Sequence, residues 1–284
     1  MKAIIFGSTG YLGRHLLAYL KKEKFDIWYD QNKSIDITER LSLNKINWNV
    51  DYVFLFAGKT GTNISFPEYK SFTLINEIGL LNIIEAIKDS SYNPKIIFPS
   101  TRLIYKGSDL ELYEDAEKET KSVYAVNKLA CENYLYAFAN AHNLNFTIFR
   151  ICVPYGNLFS KNYSYGTIGN FLNQALRHKK ITLYGDGKLK RTFTYVEDII
   201  HWIVQTISKE SSNCEIFNLP GENLSLLKVA SYFCDHFNCE IEFIEYPHEI
   251  KKLESGSTFF NSNKIRKIIS LENKKYIKEW IYSL

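Results

Sequence analysis

Tyr124 and Lys128 stand four positions apart in Tyr124-Ala125-Val126-Asn127-Lys128. The continuation through residues 129–141 predicts a helix, on which residues at that spacing project from one face, one turn apart. The arrangement puts an ammonium beside a phenol. A free tyrosine titrates near pH ~10, but a neighbouring positive charge favours the phenolate, so Tyr124 becomes usable as a general acid/base nearer neutrality. The same spacing also describes a solvated helix face, and the pair acquires chemical meaning only from what is set beside it.

The first element able to do so is at the N-terminus. Residues 3–6 are a short apolar run that reads as a buried strand. Gly7-Ser8-Thr9-Gly10-Tyr11-Leu12-Gly13 follows, then Leu16, Leu17 and Leu20 at helical spacing. Strand, glycine turn, helix is the context of a dinucleotide-binding fingerprint: the glycines allow a tight turn, a close approach to a pyrophosphate and close helix–strand packing. The alternative is an ordinary βα turn. The next strand, 26–29, ends in Asp30, where a ribose diol needs an acceptor. That carboxylate repels a 2′-phosphate and leans the cofactor toward NAD, whereas Arg14 leans toward NADP because it can pair with the phosphate. Asp30 also reads as a turn residue opening the polar 31–34 loop.

Between Asp30 and Ile35-Asp36-Ile37 there is no room for a full helix, so the crossover is shortened. A polar helix should precede the buried strand 52–56, which ends at Ala57-Gly58. Residues 69–88 carry apolar positions at helical spacing, with Asn76, Gly79 and Asn82 among them. Strand 95–98 leads into Pro99-Ser100-Thr101, and strand 146–150 follows the Tyr124 helix. This alternation predicts an α/β fold with a doubly wound parallel sheet, and ligands beyond the carboxyl ends of its strands. Past residue 151 the rhythm loosens: loops at 154–156 and 157–166, a helix at 168–178, and strands at 181–184 and 191–196 around Gly185-Asp186-Gly187. Strand 215–219, helix 226–237, strand 241–245 and helix 274–283 complete a smaller lobe. The expected division is 1–155 and 156–284, partly interleaved.

Composition narrows the class. With 284 residues, 45% hydrophobic and 23% charged, the chain is an ordinary globular one. A net charge of +4 from 35 basic and 31 acidic residues, spread along the chain with a mildly Lys-rich end at Lys274-Lys275, is not the stripe of a nucleic-acid binder. Five widely spaced cysteines without a Cys-x-x-Cys pair read as reduced thiols in the cytoplasm, and six scattered histidines indicate no metal site. No apolar run approaches the ~18 residues a membrane span needs, and the N-terminus carries no signal-like apolar region.

Taken together, Gly7-x-x-Gly10-x-x-Gly13, Ser100-Thr101, Tyr124-x-x-x-Lys128 and Arg191-Thr192-Phe193-Thr194-Tyr195-Val196-Glu197-Asp198 resemble the extended short-chain dehydrogenase/reductases that act on nucleotide sugars. The likeness extends to Pro67 through Asn76, Gly79, Asn82 and Leu183-Tyr184-Gly185-Asp186-Gly187. It implies a Rossmann-like domain with a smaller C-terminal α/β substrate-binding lobe, a homodimer built on the helices at 69–88 and 124–141, and NAD or NADP as cofactor. Thr101 then hydrogen-bonds the reacting sugar oxygen, Tyr124 exchanges a proton with it, and Lys128 binds the cofactor ribose and lowers the tyrosine pKa. Arg191 falls on the substrate's diphosphate, with Arg102 beside Thr101 on the substrate side. The implied cofactor contacts are Gly7, Thr9, Gly10, Tyr11, Leu12, Gly13, Asp30, Asp36, Ile37, Ala57, Gly58, Asn76, Ser100, Tyr124, Lys128 and Val153.

Departures from the family pattern narrow the reaction. Nucleotide-sugar 4,6-dehydratases carry Asp-Glu after the threonine, and here Arg102-Leu103 stands instead, which removes the acid and base of a dehydration. Cys152 lacks the histidine partner of the 3,5-epimerases. Reduction of a C4 keto group, in bacterial-type surface polysaccharide sugar synthesis, is the reading favoured by the compact length and the short 30–36 segment. A 4-epimerase with tightly bound NAD is the alternative, and a non-catalytic NAD(P)-binding sensor a second one, opposed by the retention of both Tyr124 and Lys128. Val153, where many epimerases have an asparagine, and Leu253-Glu254-Ser255-Gly256-Ser257, in place of an Arg-x-Gly-Asp segment, leave the nucleotide open.

Overall fold

A computed structural model of the chain describes residues 1–32, 34–159, 165–272 and 275–284. In chain order these form β1 (Lys2–Phe6), α1 (Tyr11–Lys22), β2 (Asp26–Tyr29), β3 (Tyr52–Leu55), α2 (Tyr69–Thr73), a π-helical segment (Leu74–Ile78), α3 (Gly79–Lys88), β4 (Lys95–Thr101), α4 (Val123–His142), β5 (Phe146–Ile151) and β6 (Val153–Tyr155). There follow α5 (Gly166–His178), β7 (Lys180–Tyr184), β8 (Lys190–Tyr195), α6 (Val196–Ile207), β9 (Glu215–Asn218), β10 (Glu222–Ser225), α7 (Leu226–Phe237), β11 (Glu240–Ile244), α8 (His248–Leu253), α9 (Asn263–Arg266) and α10 (Ile277–Tyr282).

The chain forms two compact units, each drawn from three stretches. The first takes Met1–Ile104, Thr120–Arg150 and Ile203–Phe217; the second takes Tyr105–Glu119, Ile151–Trp202 and Asn218–Leu284.

The first unit is built on a six-stranded sheet in the order β2-β1-β3-β4-β5-β9, with β1 parallel to both β2 and β3, and β3 parallel to β4. This is a Rossmann-like doubly wound arrangement. Its inner strands are buried on both sides: every residue of β5, for example, is buried. Ile4, Val53, Ile96 and Ile148 meet Ile83 and Ile87 of α3 and Leu135 of α4 in one core cluster. The stretch from Asp30 to Ile37 contributes neither helix nor strand among its described residues, so the sheet ends at β2. Where a polar helix was expected before β3, only a 3-10 turn forms, Arg40–Lys45. Leu43 is the one residue it buries, which is no apolar stripe to hold a full helix down.

The second unit holds a three-stranded sheet, β10-β8-β6, and a parallel pair, β11-β7. Two elements depart from expectation. The stretch at 154–156, read as loop, lies partly in β6, which pairs parallel with β8 from Val153 opposite Phe193. Pro154 is tolerated because β6 is an edge strand of that sheet. Val196, assigned to a strand, instead opens the unforeseen helix α6, with Glu197 and Asp198 in its first turn favoured by the positive helix end. The helix expected over 274–283 starts at Ile277; residue 274, with 160–164 of the expected 157–166 loop and Lys33 of the 31–34 loop, lies outside the described residues. All five cysteines are free thiols, and no helix of the described residues is long and apolar enough to cross a membrane.

Candidate active site

In the first unit, the turn between β1 and α1 is closed by Gly10 N–H donating to the Gly7 carbonyl at 3.0 Å. Gly7 has φ +83°, and a Cβ there would lie 2.4 Å from the Ala57 nitrogen. On Gly13 a Cβ would lie 1.9 Å from the Gly7 oxygen, so α1 packs on the turn only because residue 13 has no side chain. Gly10 caps α1 without a side-chain hydrogen bond, and the first turn, opened by Tyr11 and Leu12, has no acid. The start of this twelve-residue helix therefore presents its positive end without a competing acid, the arrangement that suits a phosphate.

Beside this turn is a cavity of about 370 Å³ whose lining includes Gly7, Thr9, Asp30, Asp36, Ile37 and Ala57. Six expected cofactor residues thus converge on one space, joined by Ser8, Ile35, Thr38 and Ile75, which the sequence did not single out. Burial works against ionisation of Asp30, but N–H donation from Ile35, at 2.7 Å, and Ser34 outweighs it and holds the carboxyl below its ordinary range. The cavity therefore carries a fixed negative charge at its rim. Arg14, on α1, lies over the Tyr11 ring at 6.0 Å. Gly58 is packed against Asn76 of the π-helical segment, whose side-chain amide accepts from Lys59 N–H at 2.8 Å and donates to the Lys59 carbonyl at 3.1 Å. A π turn shifts the helical phase locally, and here it carries this buried asparagine.

The helix α4 begins sharply because Ser122 Oγ accepts from Ala125 N–H, and ends at Asn143 in the left-handed conformation. Its buried face carries a polar row: Tyr124, Lys128 and Glu132 follow one another at one-turn intervals. Tyr124 packs edge-on against Phe72 of α2 at 6.4 Å. Lys128, 6% exposed, donates to the Pro99 carbonyl at 2.7 Å and lies 4.2 Å from the centre of the Phe98 ring. Burial lowers its pKa to about 8, which still leaves it cationic at neutral pH. Glu132 accepts the Ser100 hydroxyl at 2.5 Å and pairs with Arg150 of β5 at 2.6 Å. The end of β4 is therefore held to α4 at two successive residues. Thr101 follows directly, its hydroxyl oxygen accepting from Leu103 N–H at 3.2 Å, so that its proton is free to be donated elsewhere. Arg102 opens the short 3-10 turn after it.

Glu132 and Arg150 were absent from the sequence expectations. Their signal is a carboxylate one turn beyond Lys128 and a guanidinium in an otherwise almost wholly apolar strand, a combination that burial makes obligatory.

In the second unit, Val153 is buried in β6 and Arg191 in β8. The Arg191 guanidinium donates to the carbonyls of Lys190 and Gly256 at 2.8 and 2.7 Å and to Glu254 Oε1 at 2.7 Å. Cys152 donates to the Thr258 carbonyl and accepts from Thr192 N–H, both at 3.3 Å.

Comparison with known proteins finds likenesses along most of the chain. The CDP-paratose 2-epimerase of Salmonella typhi is 26% identical over 300 residues, covering 87% of this chain and 88% of that protein. Among solved structures, the UDP-glucose 4-epimerase of Thermotoga maritima, with UDP-glucose, superposes with a TM-score of 0.86 at 21% identity, over 99% of this chain and 96% of that one. The UDP-glucose 4-epimerase of Thermus thermophilus, in complex with NAD, gives 0.84 at 19% identity, over 99% and 97%. The pattern of the NAD dependent epimerase/dehydratase family matches residues 3–219, and the chain belongs to that family.

Proposed function

We propose that the protein is an NAD(P)-dependent oxidoreductase of nucleotide-diphosphate sugars, using NAD ahead of NADP, and that it reduces the C4 keto group of a deoxy-4-keto sugar nucleotide. The observation carrying this reading is the face of α4 on which Tyr124, Lys128 and Glu132 follow one another, fastened to β4 through Pro99 and Ser100. Thr101 and Tyr124 hold the C4 oxygen by hydrogen bonds. Tyr124 gives its hydroxyl proton to that oxygen as the carbonyl becomes an alcohol. Lys128, cationic at neutral pH, favours the phenolate left behind. The bound cofactor supplies the hydride; Gly7, Gly10 and Gly13 admit its pyrophosphate and Asp30 its ribose diol. Arg102 and Leu103 offer no carboxyl to move protons between carbons, so dehydration is not part of the cycle.

C4 epimerisation is the second reading, favoured by the likeness to the UDP-glucose 4-epimerases of Thermotoga maritima and Thermus thermophilus, whereas the Salmonella typhi relative is named a 2-epimerase. It requires only that the same residues run the step in both directions on two faces of the sugar. A panel of nucleotide-linked 4-keto and 4-hydroxy sugars, incubated with NADH and NADPH in parallel, separates the two. Stoichiometric loss of reduced cofactor means reduction, and sugar interconversion without net loss means epimerisation. Neither result in any pairing would refute the enzyme. The reading includes a cytoplasmic homodimer through α2, α3 and α4, supported by the exposed Tyr69, Leu74, Ile78 and Val126; sedimentation as a monomer at micromolar concentration would exclude it.

A further inference from the structure

We propose that Glu254 is an internal counter-anion that occupies the fork of Arg191 until the diphosphate of the substrate displaces it, so that Glu254 sets the affinity for that diphosphate. This rests on the nucleotide-sugar reading above. The Arg191 side chain is 3% exposed, and Glu254, 26% exposed, is its ion-pair partner at 2.7 Å. Carboxylates and phosphates offer a guanidinium the same acceptor geometry, so the two anions compete for one site.

The surroundings make the carboxylate the replaceable partner. The carbonyls of Lys190 and Gly256 keep hold of the guanidinium whether or not Glu254 is present. Beyond Gly256 the chain is pinned: Ser108 N–H donates to the Ser257 carbonyl at 2.8 Å and Thr258 N–H to the Lys190 carbonyl at 3.0 Å. On the other side Glu254 follows α8, six residues long with none buried, so little packing opposes its movement. Gly256, at φ +86°, and Ser255, packed on Gly107, belong to the pinned part, which begins one residue after Glu254. Glu254 Oε1 also accepts from Gly256 N–H at 3.1 Å, and its departure leaves that N–H without this acceptor.

Titration calorimetry with inorganic pyrophosphate and with UDP, CDP, dTDP and GDP, on the parent and on Glu254→Gln, tests the proposal. The variant should bind pyrophosphate and the preferred nucleotide at least tenfold more tightly, because it presents a cation without a competing anion. Equal or weaker binding overturns the proposal, since Glu254 would then be a support of Arg191 and not its competitor. Should Glu254→Gln fail to fold, hydrogen exchange on the parent decides. Pyrophosphate should speed exchange at the Gly256 amide if Glu254 leaves, and unchanged or slower exchange there counts against displacement. If neither protein binds any probe the proposal falls, while the cofactor-consumption assay judges the nucleotide-sugar reading independently.

Discussion

The Lys128 ammonium donates to the Pro99 carbonyl across 2.7 Å, so the helix that carries Tyr124 is tied to the strand that ends in Thr101. The tie places a cation in apolar surroundings, with consequences for stability. The folded pKa, about 8, lies below the 10.5 of an exposed lysine, so the unfolded chain binds this proton more tightly. Charged Lys128 thus opposes folding at every pH below 8, and the penalty fades as pH rises from 8 toward 10.5. Over pH 8 to 9.5 the apo protein should gain about 2 kcal/mol from this residue. Urea unfolding of the parent and Lys128→Met across that range measures it: the variant should lack that share of the rise and be the more stable of the two near pH 7.

Tyr124→Phe removes the exchangeable proton and keeps the edge-on packing with Phe72. Turnover should fall by roughly 10²–10⁴-fold with an unchanged melting temperature. Steady-state NADH oxidation with the best 4-keto substrate gives the number, and turnover equal to the parent would remove Tyr124 from the chemistry.

Asp30 is held ionised by the N–H groups of Ile35 and Ser34 at the rim of the glycine-turn cavity. Asp30→Ala deletes both the diol acceptor and the repulsion of a 2′-phosphate. The ratio of kcat/KM for NADPH to that for NADH should rise at least about tenfold, equivalent to ~1.4 kcal/mol. A constant ratio would leave the preference to other residues.

Glu132→Gln leaves Arg150 buried without its counter-charge and should cost about 3–5 kcal/mol in denaturant unfolding. Replacing both residues by apolar ones of similar volume should recover most of that loss. If the single variant loses under 1 kcal/mol, roughly the worth of an exposed pair, the link is not a sealed one.

The half of the fold that builds the first unit was legible because its signals are local. Apolar runs at 3–6, 52–56 and 146–150, broken by glycine or polar turns, became strands flanked by helices of 3.6-residue period. The convergence of Gly7, Asp30 and Ala57 on one cavity was legible for the same reason, since all three stand at strand ends. What escaped depends on partners distant in sequence. Pro154 signalled a turn, and only pairing with β8 makes its neighbours a strand. Val196 continued the alternation of β8, and only the chain's change of direction makes it helical. Glu132 acquires meaning from Ser100 and Arg150, and Arg191 from Glu254, contacts that span 32, 18 and 63 positions.

The sheet order β2-β1-β3-β4-β5-β9 also governs how the protein is made. Its last strand is translated after all of β6, α5, β7, β8 and α6. A nascent chain therefore presents β5 with one unpaired edge until residue 218 has left the ribosome, and throughout that interval the edge is open to pairing with another chain. Slower synthesis between β5 and β9 should lengthen this exposure and lower the soluble yield. A fragment stopped at residue 155 would keep the glycine turn, Tyr124 and Lys128, yet retain the bare edge permanently.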